Sequence, residues 1–152
     1  MMYAHHFQIP VAIVRFFSLY GPNLRKQLLW DACLKIDNGD FHFYGSGKEI
    51  RDWLHVKDAA LLFLALTSHA SSLAPIVNGG TGIGTPVNEI VNEIKKIIGK
   101  TGVCQFSQEP NPGDPLGYIA DIRTTISFGW KPTISLREGI TEYVQWYRSG
   151  AL

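Results

Sequence analysis

At 152 residues and 17.0 kDa the chain is long enough for one domain with a real core and too short for two full ones. Its 14 basic and 13 acidic residues leave a net charge of +1, and no Lys/Arg block exceeds the pairs Arg25-Lys26 and Lys95-Lys96, so the electrostatic footprint of a nucleic-acid binder is missing. The longest apolar run, residues 59–66, falls far short of the roughly 20 residues of a membrane helix. The opening MMYAHHFQIP lacks the basic start, long apolar middle and small-residue cleavage site of a signal peptide. Cys33 and Cys104 stand apart from each other and from any histidine at ligand spacing, which points to a reducing cytoplasm rather than a disulfide framework or zinc site. His5 and His6 are adjacent, so on a helix they diverge by about 100° and do not chelate one ion. Charged residues make up 18% against a usual value of about 25%, while apolar types reach 45%. That balance fits a surface partly covered by something else, and equally the scatter expected of a small domain.

In chain order, VAIVRFF (11–17) is a continuous β-branched and apolar run, the pattern of a strand buried on both faces of a parallel sheet. Gly21-Pro22 breaks it. Leu24 to Ile36 carries apolar residues at helical spacing, and Asn38-Gly39-Asp40 stops that helix. A short strand, FHFYG, follows, and then a loop leads to Lys57-Asp58, where Asp58 is placed to cap a helix through AALLFLALTSHA, ended by Ser71-Ser72. Next come a strand PIVN, a glycine turn, and a helix with Val87, Ile90, Val91, Ile94, Ile97 and Ile98 on one face, Thr85 as N-cap and Pro86 at its first position. VCQFS (103–107) reads as a strand, residues 122–128 as a short helix, and Ser135 to Tyr147 as a last amphipathic helix. Strands alternating with helices make an α/β protein, with no internal repeat.

Two motifs imitate cofactor chemistry. IVNGGTGIG (76–84) followed by a helix looks like a dinucleotide loop, but Gly80, Gly82 and Gly84 spell G-x-G-x-G, without the third glycine of the fingerprint at its proper place and without a well-spaced acid for the ribose. A tight turn is the favoured reading, with a phosphate cradle at the helix start as the alternative. Tyr44 and Lys48 match Y-x-x-x-K, the spelling of a catalytic tyrosine whose phenol is acidified by a lysine one helical turn away. Gly45 and Gly47 oppose a helix there, so the pair reads as a loop.

RFFSLYGP (15–22), YGSGKEIRDWLHVKDAA (44–60) and NPGDPLGYIADIRTTISFGWKP (111–132) together resemble the carboxyl-terminal half of the NAD-dependent epimerase/dehydratase family, the extended short-chain dehydrogenases/reductases that act on nucleotide sugars. The order and spacing match, RDWLHVKD is the most specific core, and SLREGITEYVQWY is similar to the family's last helix. The resemblance implies the last parallel strands and helices of a Rossmann-like NAD(P)-binding fold plus the small substrate-binding α/β lobe, as one segment over residues 1–152. The amino-terminal NAD-binding half, with its phosphate loop and catalytic Tyr/Lys helix, is expected before Met1. The glycine loop at 80–84 then lies away from the cofactor phosphates.

Residue by residue, the resemblance implies a nucleoside diphosphate sugar as partner. Arg51 corresponds to the residue facing the diphosphate, where a planar guanidinium engages two oxygens; beside Asp52, the plain alternative is a surface ion pair. Tyr44, with His42 and Phe43, matches the position that stacks the nucleobase, where a core aromatic is the alternative. Gln27 and Leu28 match contacts to base or ribose, Tyr118 a tyrosine near the phosphates, and Phe17 a contact to nicotinamide, though by pattern alone Phe17 is a core residue. Two positions depart from the family. Ser18 stands where Asn is common, with shorter reach and one donor, and Asn111 stands where Arg often precedes the turn that contains Asp114. Lys48 is the nearest replacement cation.

For the full enzyme the resemblance implies hydride removal from the sugar, usually at C4, by NAD, then epimerisation or dehydration through a keto-sugar. The chain alone is expected to position substrate without turnover. The rival readings are a non-catalytic paralogue that binds a nucleotide sugar or a partner subunit, and a free-standing dinucleotide-binding half-domain. A homodimer, and the identity of sugar and base, stay open.

Overall fold

The computed structural model describes residues 2–109, 113 and 115–150, an α/β chain with six helices among them. Asn111 and Asp114 lie outside the described residues. A short helix α1 (Met2–Phe7), for which the sequence spacing gives no sign, precedes strands β1 (Ile13–Phe16) and β2 (Ser18–Tyr20). The chain continues through α2 (Gln27–Asp37), β3 (His42–Phe43), β4 (Ile50–His55) and α3 (Val56–Thr67). It ends with β5 (Ile76–Gly79), β6 (Gly84–Pro86), α4 (Val87–Ile98), β7 (Gln105–Phe106), α5 (Arg123–Ser127) and α6 (Leu136–Arg148).

Three small sheets result. β1 pairs in parallel with β5, Ile13 opposite Ile76; β2 runs parallel to the central β4, which meets β6 antiparallel; and β3 pairs in parallel with β7. The apolar run expected as one strand buried on both faces is therefore broken at Phe17. Within it Ile13–Phe16 joins β5, Arg15 is exposed, and the residues that follow the run, Ser18–Tyr20, join β4. Continuous apolarity marked the first strand but neither the second, Ser18–Tyr20, nor the change of partner.

The core falls in two clusters. In the larger, Leu29, Ala32 and Cys33 of α2 pack with Ile90, Val91 and Ile94 of α4 and with Ile140 and Val144 of α6, each face built from residues three or four apart. Tyr143 also donates to the Leu24 carbonyl at 2.6 Å, tying α6 to the segment that enters α2. In the smaller cluster Leu62 and Leu66 of α3 cover Val77 and Leu54, with Trp130 alongside.

Three helix starts differ from the sequence reading. α2 begins at Gln27 rather than Leu24, after Lys26 in extended conformation. α3 begins at Val56, capped by His55, whose Nδ1 accepts from the Lys57 amide. Asp58 does not cap it: this buried carboxylate accepts from Thr133 N at 3.1 Å, Thr133 Oγ1 at 2.8 Å and Ile134 N at 2.9 Å. α4 begins at Val87 with Pro86 as its N-cap, because Gly84–Pro86 is drawn into β6, where Thr85 lies opposite Arg51. The last helix, expected from Ser135 to Tyr147, starts one residue later as α6, with Ser135 as its N-cap exchanging bonds with Glu138 in a capping box.

Candidate functional site

α2, β3 and β4 enclose a cleft of about 560 Å³. Gln27, Leu28, Asp31 and Lys35 line it from one face of α2, a spacing of three to four residues that stacks their side chains over two turns. Along β4 side chains alternate, so Arg51 and Trp53 face the cleft while Asp52 turns to the opposite side. Ser18, Phe43, Tyr44 and Glu49 complete most of the wall. Gln27 holds φ at +66°, a left-handed conformation costly for a residue with a side chain and one that gathers at functional sites.

The guanidinium of Arg51 is braced rather than ion-paired to its neighbour. Its Nη1 donates to the carbonyls of Ile50 at 2.9 Å and Pro115 at 3.0 Å, and its Cζ sits 4.8 Å from the centre of the Tyr118 ring. The Tyr118 hydroxyl shares a 3.2 Å hydrogen bond with Ser18 Oγ, and its ring lies 5.5 Å from that of Phe17. Four residues singled out in the sequence, Phe17, Ser18, Arg51 and Tyr118, thus meet at one end of the cleft.

The other end is aromatic. Phe43 is buried, with the Lys35 ammonium 5.4 Å from its ring centre; Tyr44 is exposed, its hydroxyl donating to Glu109 at 3.3 Å. The His42 ring is turned out to Asp40, 3.1 Å away, and His42 contributes its carbonyl, which accepts from Lys35 Nζ at 3.1 Å. The turn between is closed by Glu49, whose Oε1 accepts from Ser46 N and Ser46 Oγ at 2.8 Å each. Burial opposes ionisation of Glu49, but these bonds outweigh it and hold the carboxyl below its usual range. Gly45 and Gly47 take φ of +86° and +75°, so Tyr44 and Lys48 do not form a helical catalytic pair. Sequence reasoning missed Asp31, Lys35, Glu49 and Trp53. The α2 residues had a usable signal in their spacing from Gln27, and the second cation of the lining is Lys35, not Lys48.

Residues 2–80 match the sequence profile of the NAD dependent epimerase/dehydratase family, just over half the chain. The chain belongs to that family. A provisionally named UDP-glucose 4-epimerase of Methanocaldococcus jannaschii is 32% identical over 155 residues, covering 97% of this chain and 49% of the relative. GDP-L-fucose synthase 1 of Arabidopsis thaliana is 31% identical over 104 residues, 68% of this chain and 32% of that protein. The crystal structure of UDP-glucose 4-epimerase from Thermotoga maritima with UDP-glucose superposes at a TM-score of 0.88 with 25% identity, covering 97% of this chain and 49% of the other. The chain spans about half the length of these epimerases, whose fold is the Rossmann-like one of the family.

Members of this NAD-dependent family must hold a dinucleotide, and the glycine loop is the obvious place to look in this chain. Its donors are already used. The fully buried Asp52 accepts from Thr81 N and Thr81 Oγ1 at 2.7 Å each, from Gly82 N at 2.9 Å and from Ala120 N at 3.0 Å. A side chain on Gly80 would run into Asp52 and Ala120, so its glycine makes room for a carboxylate rather than a phosphate. The loop does not fit the diphosphate of NAD. Among the described residues Phe17, at the Arg51 end, remains the one position with an expected link to that cofactor.

Proposed function

We propose that this chain is the nucleoside-diphosphate-sugar-binding portion of an NAD-dependent sugar epimerase or dehydratase. One observation carries the reading: a cleft with a braced guanidinium at one end and aromatic faces at the other, matching in its two ends a charged diphosphate and a flat base. Arg51 meets the diphosphate, assisted by the hydroxyls of Ser18 and Tyr118, and Phe43 and Tyr44 flank the base. Gln27 and Leu28 contact base or ribose. Asn111 and Asp114 are assigned to the substrate side by the motif alone. The relatives named above include enzymes of UDP-sugars and of a GDP-sugar, so family membership leaves the base open.

On this reading the chain binds and orients, and turnover requires groups it does not supply. Tyr44 and Lys48 sit in a glycine turn and cannot act as the family's tyrosine and lysine. A cytoplasmic location belongs to the same reading, supported by free Cys33 and Cys104. Among the described residues no helix is long and apolar enough to cross a membrane.

Titration calorimetry with UDP and GDP tests the proposal. Binding of at least one is expected, and Arg51→Ala should weaken it about 10- to 100-fold, the usual loss for a charge-assisted contact. Arg51→Lys should recover only part, since an ammonium lacks the planar fork. Unchanged affinity in Arg51→Ala removes the diphosphate assignment.

A further inference from the structure

We propose that the base taken by this cleft is guanine. The inference rests on the nucleotide-sugar reading and goes beyond it to the identity of the nucleotide. At the aromatic end, beside Phe43 and Tyr44, two oppositely charged side chains of α2 line the wall together: Asp31 and Lys35, 3.4 Å apart. Lys35 is anchored there by its bond to the His42 carbonyl and its position over the Phe43 ring. The cleft's other carboxylate, Glu49, is engaged by Ser46 in closing the turn. Asp31 and Lys35 therefore set the polar pattern that a base edge meets.

A carboxylate offers two acceptors side by side, and an ammonium offers donors only. Their complement is an edge with two adjacent donors next to an acceptor. Guanine has this pattern: N1–H and the N2 amino group can share the two Asp31 oxygens while O6 accepts from Lys35. Uracil and thymine present one N–H between two carbonyls, so the second carboxylate oxygen would face a carbonyl. Adenine and cytosine have a single amino donor beside ring acceptors, which a carboxylate also repels. Two donors recognised by one carboxylate make a charge-assisted, bidentate contact, the geometry that gives the best discrimination per side chain.

The Asp31 side chain is 54% exposed, so the contrast will be that of a screened site, about tenfold, rather than the 10⁴-fold or more of a fully buried one. Calorimetry on the whole chain with GDP, UDP and inosine diphosphate tests it. GDP should bind about tenfold tighter than UDP. Inosine diphosphate, which lacks only the N2 amino group, should fall between them. Asp31→Asn keeps the helix surface and should bring the three nucleotides to within about threefold of one another, whereas Arg51→Ala should weaken all three alike. UDP binding as tightly as GDP overturns the guanine assignment, and a GDP preference that survives Asp31→Asn overturns its reading by Asp31; either result leaves the nucleotide-sugar reading standing. Failure of all three to bind overturns both.

Discussion

Asp52 sits next to Arg51 in the chain and is fully buried, yet all its hydrogen bonds run to residues 29 to 68 positions away. Each of its oxygens accepts two bonds, from the glycine loop and from Ala120, so the carboxylate joins three segments at once. In Asp52→Asn an amide nitrogen would face backbone donors, leaving a buried N–H group unsatisfied. We expect a loss of about 2 to 3 kcal/mol, read as a lower urea midpoint with an unchanged slope. None of this was legible beforehand. A carboxylate's long-range partners leave no local trace, which is also why Asp58 read as a helix cap when its true partners are Thr133 and Ile134. Arg51, Phe43 and Tyr44 were found through a motif, whereas Lys35 could have been found from helical spacing alone.

At the scale of elements, most of the chain followed its local pattern. The capping box at Ser135, the apolar face of α4 and the stop at Asn38-Gly39 all lie where short-range chemistry puts them. The misses came where pairing overrode local preference, as when β4 captured Gly84–Pro86 as its antiparallel neighbour and delayed α4. Docking of α6 adds a further constraint. Gly139 faces the buried Tyr20, and a methyl group there would overlap the tyrosine hydroxyl. Gly139→Ala is expected to destabilise by about 1 to 3 kcal/mol, despite alanine's better helix propensity. Tyr20→Phe removes the clashing oxygen, so in thermal denaturation the double variant should regain part of the loss, and strict additivity of the two changes would refute the contact.

For the molecule as a whole, the low share of charged residues agrees with apolar side chains left in the open on α3, where Leu61, Phe63 and Leu64 are exposed. The sheets are small, and the parallel pair of β1 and β5 is the least finished. Ile13 and Phe17 donate towards β5, at 2.9 Å and 3.0 Å, so the amides of Val14 and Phe16 point the other way. On its far side β5 is served by the α5 region, where Thr125 donates to the Asn78 carbonyl at 2.7 Å. β1 has no such cover in any sheet of the described residues. Hydrogen exchange should therefore be faster at Val14 and Phe16 than at Ile13 and Phe17. That margin is open to any extended, apolar strand able to complete the ladder, whether from another part of a longer protein or from a second molecule. For this chain by itself, light scattering should accordingly rise with protein concentration and fall back on dilution, a stickiness that originates in an uncovered strand edge rather than in poor folding.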